Sequence, residues 1–171
     1  MNFAELFADK SLKPKQKTEI LCNWLVENLD KSVSLIEFAK TSKDPIKASC
    51  MEVLEFVTKI QPANSSELWM DFATESLQEK SPRIKWEAAK VIGNIVHLYP
   101  SKTDTALINL LANAKHEGTV VRWSVALALS KILLLKTELN TSLLPTVATI
   151  CNEENKNSIK KIYESAIKKC K

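Results

Sequence analysis

Trp86 and Trp123 are the side chains best suited to hold a ligand. Each directly follows a basic residue, in Ile84-Lys85-Trp86 and in Val121-Arg122-Trp123, and Lys90 stands one helical turn beyond the first. Two indoles beside a lysine make a platform for a polypeptide, because aromatic side chains lose little conformational entropy on binding. The same indoles could instead fold against the preceding turn and close the ends of a core. Four basic residues, Lys47, Lys85, Arg122 and Lys160, form a second constellation. As a track they would supply phosphate contacts and a salt-dependent affinity for nucleic acid. As a ladder they would pair with turn carboxylates or carbonyls of an adjacent unit.

Groups for catalysis are few. His97 and His116 lie on different segments without a recognisable nucleophile, and neither a Gly-rich phosphate motif nor H-E-x-x-H occurs. Glu52 and Glu55, one turn apart, read as a solvated pair. Cys22, Cys50, Cys151 and Cys170 are widely separated, with no C-x-x-C and no histidine at ligand spacing, so they read as reduced thiols and no metal site is expected. The reading is of a protein that is not an enzyme and carries no cofactor.

The elements that must position these residues come from a period. The steps Lys47 to Lys85, Lys85 to Arg122 and Arg122 to Lys160 are 38, 37 and 38 residues. Constant spacing in this range is the mark of a helical repeat array. Counted from each basic residue, offset three gives Cys50, Ala88, Val125 and Tyr163, and offset seven gives Leu54, Ile92, Leu129 and Ile167. Offset six gives Val53, Val91, Ala128 and Ala166, and offset ten gives Val57, Ile95, Ile132 and Cys170. These offsets share one face of a 3.6-residue helix, so each copy is an amphipathic helix burying the same stripe.

Turn signals precede the copies. Asp44-Pro45 and Ser81-Pro82 place a capping residue before a proline at the first helical position, Thr119 is suited to cap the third copy, and Asn155 or Asn157 the fourth. Shorter amphipathic segments at 66–79, 104–115 and 141–152, with 32–41 before them, make each period a helical hairpin. Further helices are predicted at 14–29 and 3–7. Only two glycines, Gly93 and Gly118, occur in 171 residues, which disfavours β-rich architecture.

The sequences DPIKASCMEVLEFV, SPRIKWEAAKVIGNI and TVVRWSVALALSKI resemble the second helix of HEAT repeats: an Asp-Pro-like turn, Val-Arg, alanine-rich positions and a terminal aliphatic. The period is slightly shorter than the about 40–47 residues of that class, while tetratricopeptide repeats have a period of about 34 and a Leu-Gly pair that is absent here. The resemblance implies an all-α, right-handed α-solenoid of about four to five stacked antiparallel hairpins. Residues 1–31 would form an atypical N-terminal cap, 32–155 the regular repeats and 156–171 a lysine-rich C-terminal cap helix.

In HEAT arrays the second helix lines the concave surface. Offsets one, five, eight and twelve would therefore face a groove: Ala48, Glu52, Glu55 and Lys59; Trp86, Lys90, Gly93 and His97; Trp123, Leu127, Ser130 and Leu134; then Lys161, Ser165 and Lys168. Of these, Trp86, Trp123, Lys90, Glu52, Glu55, His97 and Leu127 are the candidate partner-binding residues. One branch of helical-repeat proteins excises alkylated DNA bases and is expected to place an aspartate one turn after a groove tryptophan. The fourth residue after Trp24, Trp69, Trp86 and Trp123 is Asn28, Ala73, Lys90 and Leu127, so that carboxylate is missing.

The functional expectation is a non-catalytic scaffold that binds a protein or peptide through its concave face. The alternative is a nucleic-acid binder related to the alkylated-base DNA glycosylases but lacking their catalytic aspartate. The N-terminus does not read as a secretory signal and no membrane-spanning run occurs, so the chain is expected to be cytoplasmic, away from membranes and monomeric. The lysine-rich C-terminal segment reads as a solvated helix face, with weak binding to acidic partners as its functional alternative.

Overall fold

The computed structural model describes residues 1–170. It contains ten α-helices: α1 (Phe3–Ala8), α2 (Pro14–Glu27), α3 (Ser32–Thr41), α4 (Asp44–Ile60), α5 (Glu67–Ser76), α6 (Pro82–Ile95), α7 (Thr103–Ala112), α8 (Thr119–Leu134), α9 (Asn140–Glu153) and α10 (Asn157–Cys170). No strand occurs among the described residues. The even-numbered helices from α2 to α10 lie side by side as an inner row, each against the next. Helices α3, α5 and α7 form an outer row over α4, α6 and α8, and α9 packs on α10. Stacked helical hairpins of this kind are an α-solenoid.

Helix α6 shows how the sequence builds the array. Ser81 sits at the N-cap with extended backbone, and Pro82 opens the helix, where its missing N–H costs nothing. Ile84, Ala88, Val91, Ile92 and Ile95 are all fully buried. Offsets three, six, seven and ten are buried on α4 and α8 as well, so one contiguous core runs through the stacked units. After Ile95 the chain tightens into a 3₁₀ turn over Val96–Leu98, and Pro100 starts another before α7. Offsets seven and ten of α10 are less enclosed: Ile167 and Cys170 are half-buried.

Two helix starts differ from the sequence reading. Asp44 is already the first residue of α4, with Lys43 at the N-cap and Pro45 in the second position. Proline's fixed φ suits either position of a first turn, so the Asp-Pro pair does not by itself fix the boundary. Thr119 likewise lies inside α8, whose N-cap is Gly118. The Gly118 amide donates to His116 Nδ1 at 2.9 Å, so the turn is tied by the histidine.

Three residues placed on the groove by offset counting are buried instead: Ala48, Gly93 and Ser130. Gly93 and Ser130 lie where inner helices touch, Ser130 Oγ reaching the Ile162 carbonyl of α10 at 3.5 Å. A Cβ on Gly93 would stand 3.2 Å from Ala128 Cα and 3.5 Å from its Cβ, so the glycine sets the approach of α6 to α8. Gly93→Val is expected to destabilise the fold by about 1–3 kcal/mol through overpacking against backbone. A denaturant titration that finds Gly93→Val as stable as the parent would show that the two helices can separate freely.

At the N-terminal side, α1 and α2 make a smaller hairpin. Phe3 meets Trp24 edge-on at 5.0 Å between ring centroids, and Phe3 and Phe7 lie 5.3 and 6.0 Å from Phe38 of α3. Lys17 donates to the Phe7 carbonyl at 2.6 Å, fixing α1 on α2.

Candidate functional site: the open face of the inner row

Three hollows follow one another along the inner helices. The first, about 550 Å³, lies between α2 and α4 and is lined by Glu19, Cys22, Asn23, Glu52 and Phe56, with Arg83 from α6. The second, about 300 Å³, lies across α4, α6 and α8 and includes Glu55, Lys90, Asn94, Trp123 and Leu127. The third, about 390 Å³, lies between α8 and α10 and shares Leu127 and Lys131 with the second. His97 is exposed beside a fourth recess that borders Asn94, Lys131 and Leu134.

The two tryptophans occupy different environments. Trp86 is half-buried, packs against the core and donates its indole N–H to Glu87 Oε1 at 2.7 Å. Trp123 is 39% exposed and forms a wall of the second hollow. Its helix, α8, holds it open to solvent. Equivalent positions in sequence have thus diverged into a tethered indole and an open one.

The charges in the middle of this face are paired within the protein. Arg83 meets Glu52 at 2.7 Å, and Lys90 lies 2.8 Å from Glu87 Oε2 and 3.4 Å from Glu55 Oε2. Burial would lower the Lys90 pKa, but the hydrogen bonds and charges of Glu87 and Glu55 outweigh it and raise the value above that of an ordinary lysine. Glu87 itself is almost fully buried, at 6% exposure. Asn94 completes the seam, donating to Thr58 Oγ1 at 3.2 Å and accepting from Lys131 Nζ at 2.9 Å.

Three of the four basic residues at the repeat position reach across the turns. Lys47 meets Glu79 at 2.6 Å, in the turn between α5 and α6. Lys85 donates to the Leu77 carbonyl at 2.6 Å and to Asn113 Oδ1 at 2.8 Å, beyond the end of α7. Arg122 donates Nε to Glu154 Oε2 at 2.9 Å, and its Nη1 to the carbonyls of His116 and Glu117. The ties to Glu79, Asn113 and Glu154 each join a hairpin to the one that follows it, while those to the Leu77, His116 and Glu117 carbonyls close the basic residue's own hairpin. Lys160 is half-buried; its backbone carbonyl accepts from Cys151 Sγ at 3.7 Å.

The Arg122–Glu154 tie carries a pH signature. Burial alone would raise the Glu154 pKa, but hydrogen bonds from Arg122 and the Lys156 amide hold it below the ordinary 4.5. A depressed folded-state pKa contributes stability that is complete above the unfolded value and is lost as pH falls through the folded one. Glu154→Gln is therefore expected to cost about 1–2 kcal/mol near neutral pH. That cost should shrink as the pH is lowered past 4.5. Denaturation curves showing a pH-independent difference would remove the carboxylate from this role.

Cys22, Cys50 and Cys151 are buried and Cys170 is half-buried, none in a disulfide. Burial pushes the Cys22 thiol up to about 11 and the Cys50 thiol up to about 12. Among the described residues, no group of three or more His, Cys, Asp or Glu side chains is placed to hold a metal ion. None of the described helices is long and apolar enough to cross a membrane.

Sequence counting missed Glu87, Arg83, Lys131 and Phe56, all of which shape this face. Glu87 was detectable as an anomaly. Offset two carries Ser49, Glu87, Ser124 and Ile162, so only one copy puts a carboxylate there. The two serines are buried, and a charge at such a position requires partners close by.

No protein-family model matches the chain, and no curated protein is significantly similar to it in sequence. Several solved structures share its shape. A designed armadillo repeat protein in complex with the peptide (KR)4 superposes with a TM-score of 0.73 at 15% identity, covering 88% of this chain and 68% of that one. The complex of CpcE and CpcF of phycocyanin lyase from Nostoc sp. PCC7120 matches with a TM-score of 0.59 at 15% identity, covering 79% of this chain and 85% of that one. At this identity the likeness is one of fold, and the fold is a helical-repeat solenoid of the armadillo and HEAT type.

Proposed function

We propose that the protein is a non-catalytic scaffold that binds an extended polypeptide along the open face of its inner helices. The observation that carries this reading is Trp123, an exposed indole in a chain of hollows whose central charges are already engaged in ion pairs with one another. A mixed, internally paired lining suits a peptide, whereas a nucleic-acid track needs a continuous row of unpaired cations. Three of the four candidates for such a track, Lys47, Lys85 and Arg122, are held in ties to turn carboxylates, carbonyls and an asparagine. The armadillo design bound to (KR)4 offers a precedent of shape for a peptide on a solenoid, though not for its sequence.

The test is a selection of random displayed peptides on the parent protein, followed by anisotropy titrations. Selected peptides are expected to bind the double variant Trp123→Ala, Leu127→Ala at least about 30-fold more weakly, corresponding to about 2 kcal/mol. The variant should melt as the parent does. Undiminished binding to the double variant would move the site off this face. Tight, steeply salt-dependent binding of duplex DNA, with no peptide selected, would favour the nucleic-acid alternative.

A further inference from the structure

The charges on this face are unevenly balanced along its length. Around α4 and α6 every one of these carboxylates has a cation beside it: Glu52 has Arg83, and Glu55 and Glu87 share Lys90. The first hollow is lined by both Lys15 and Glu19 of α2 in addition. The hollow between α8 and α10 differs. Lys131, Lys161 and Lys169 stand around it and no carboxylate lines it. Among the described residues, none of these three lysines lies within ion-pair distance of an acidic group.

Its floor is apolar. Leu134 is 40% exposed, Leu127 and Ile162 are half-buried, and Ala166 is buried beneath them. Lys131, which this hollow shares with the second, lays its stem toward α6, with Cδ 3.5 Å from the position of a Cβ on Gly93, and donates its ammonium to Asn94, a neutral acceptor. Burial lowers the Lys131 pKa, with only Glu55 opposing, so an arriving anion would restore what the ammonium lacks.

Resting on the polypeptide reading above, we infer that the α8–α10 end of the face takes an acidic, apolar segment: carboxylate side chains against Lys131, Lys161 and Lys169, and aliphatic ones on Leu127, Leu134 and Ile162. Charge complementarity decides the sign of the partner. The apolar floor decides for a peptide over a phosphate backbone, which has no side chains to place there. The expected ligand is thus opposite in charge at this end to the (KR)4 peptide of the armadillo design.

An alternating peptide in extended form puts its aliphatic and charged side chains on opposite faces, which makes it a simple probe. Labelled glutamate–leucine, glutamine–leucine and lysine–leucine octapeptides are titrated by anisotropy against the parent, Trp123→Ala and the triple variant Lys131→Glu, Lys161→Glu, Lys169→Glu. The glutamate–leucine peptide should bind the parent about tenfold or more tightly than the lysine–leucine one, and this preference should invert in the triple variant. Raising salt to about 0.5 M should weaken the acidic peptide most. Lys131 also holds Asn94, so Lys161→Glu with Lys169→Glu serves as the variant that leaves the central seam intact.

Equal or tighter binding of the lysine–leucine peptide to the parent, or no response to the lysine reversals, overturns the acidic assignment. If Trp123→Ala still weakens that binding, the polypeptide reading survives. Failure of all three peptides to bind also overturns the assignment, leaving the polypeptide reading to the selection experiment. A duplex DNA that outcompetes every peptide overturns both.

Discussion

Replacing Ile92 with alanine is expected to cost about 2–5 kcal/mol of stability, the range for truncating a fully buried aliphatic. Ile92 has no exposed surface and lies on α6, which packs against α4, α5 and α8. A cavity there is bordered by helices of three different hairpins. None of them can close it without shifting against its own neighbour, so the upper half of the range is expected. The matched control is Ile108→Ala on the outer helix α7, where the side chain is 67% exposed. That change should stay within about 0.5 kcal/mol. Urea denaturation of both variants is the measurement. An Ile92→Ala loss below about half a kcal/mol would mean that the inner stripe is not the shared core.

The core was legible because the period fixes it. Offsets three, six, seven and ten select Cys50, Val53, Leu54 and Val57 on α4, and the equivalent residues of α6 and α8, all buried. A repeat averages local accident over several copies, so the apolar stripe stands out above any single residue. What a period cannot show is the lateral spacing between helices. Gly93 and Ala48 fall on the open side by counting, yet Gly93 lies against Ala128 at the contact of α6 with α8 and Ala48 is buried as well. Phe56, 43% exposed at the first hollow, was invisible for the opposite reason. Its hollow depends on α2, whose sequence fits the period poorly.

Ion pairing was only partly legible. The recurrence of Lys47, Lys85 and Arg122 gives a ladder in sequence, and its acceptors recur in two of the three copies, as a glutamate 32 residues on, while the middle copy departs. They are Glu79, then Asn113 with the Leu77 carbonyl, then Glu154 with two carbonyls. The middle turn supplies an asparagine and a carbonyl in place of that carboxylate, and sequence offsets do not encode this change of path.

The equivalence of Trp86 and Trp123 is the point at which structure adds most, and it leads to the second large effect. Trp86→Ala is expected to lower stability by about 2–4 kcal/mol, somewhat under the usual cost of a fully buried tryptophan because the ring is half-buried. Part of that cost lies outside the ring. Removing the indole N–H leaves Glu87 Oε1 without its 2.7 Å donor in an almost fully buried carboxylate, and stranded charged acceptors are costly. Trp86→Phe separates the two contributions, since it keeps most of the ring contact and loses only the donor; it should recover part of the stability but not all. Trp123→Ala should change stability by less than about 0.5 kcal/mol, because its ring is largely on the surface and holds no hydrogen bond. In binding the order reverses: peptides selected on the parent should lose affinity mainly through Trp123. Thermal melts beside anisotropy titrations of Trp86→Phe and Trp123→Ala read both axes. Equal destabilisation by the two alanine variants would show that both indoles are structural, and the open face would then lack its anchor.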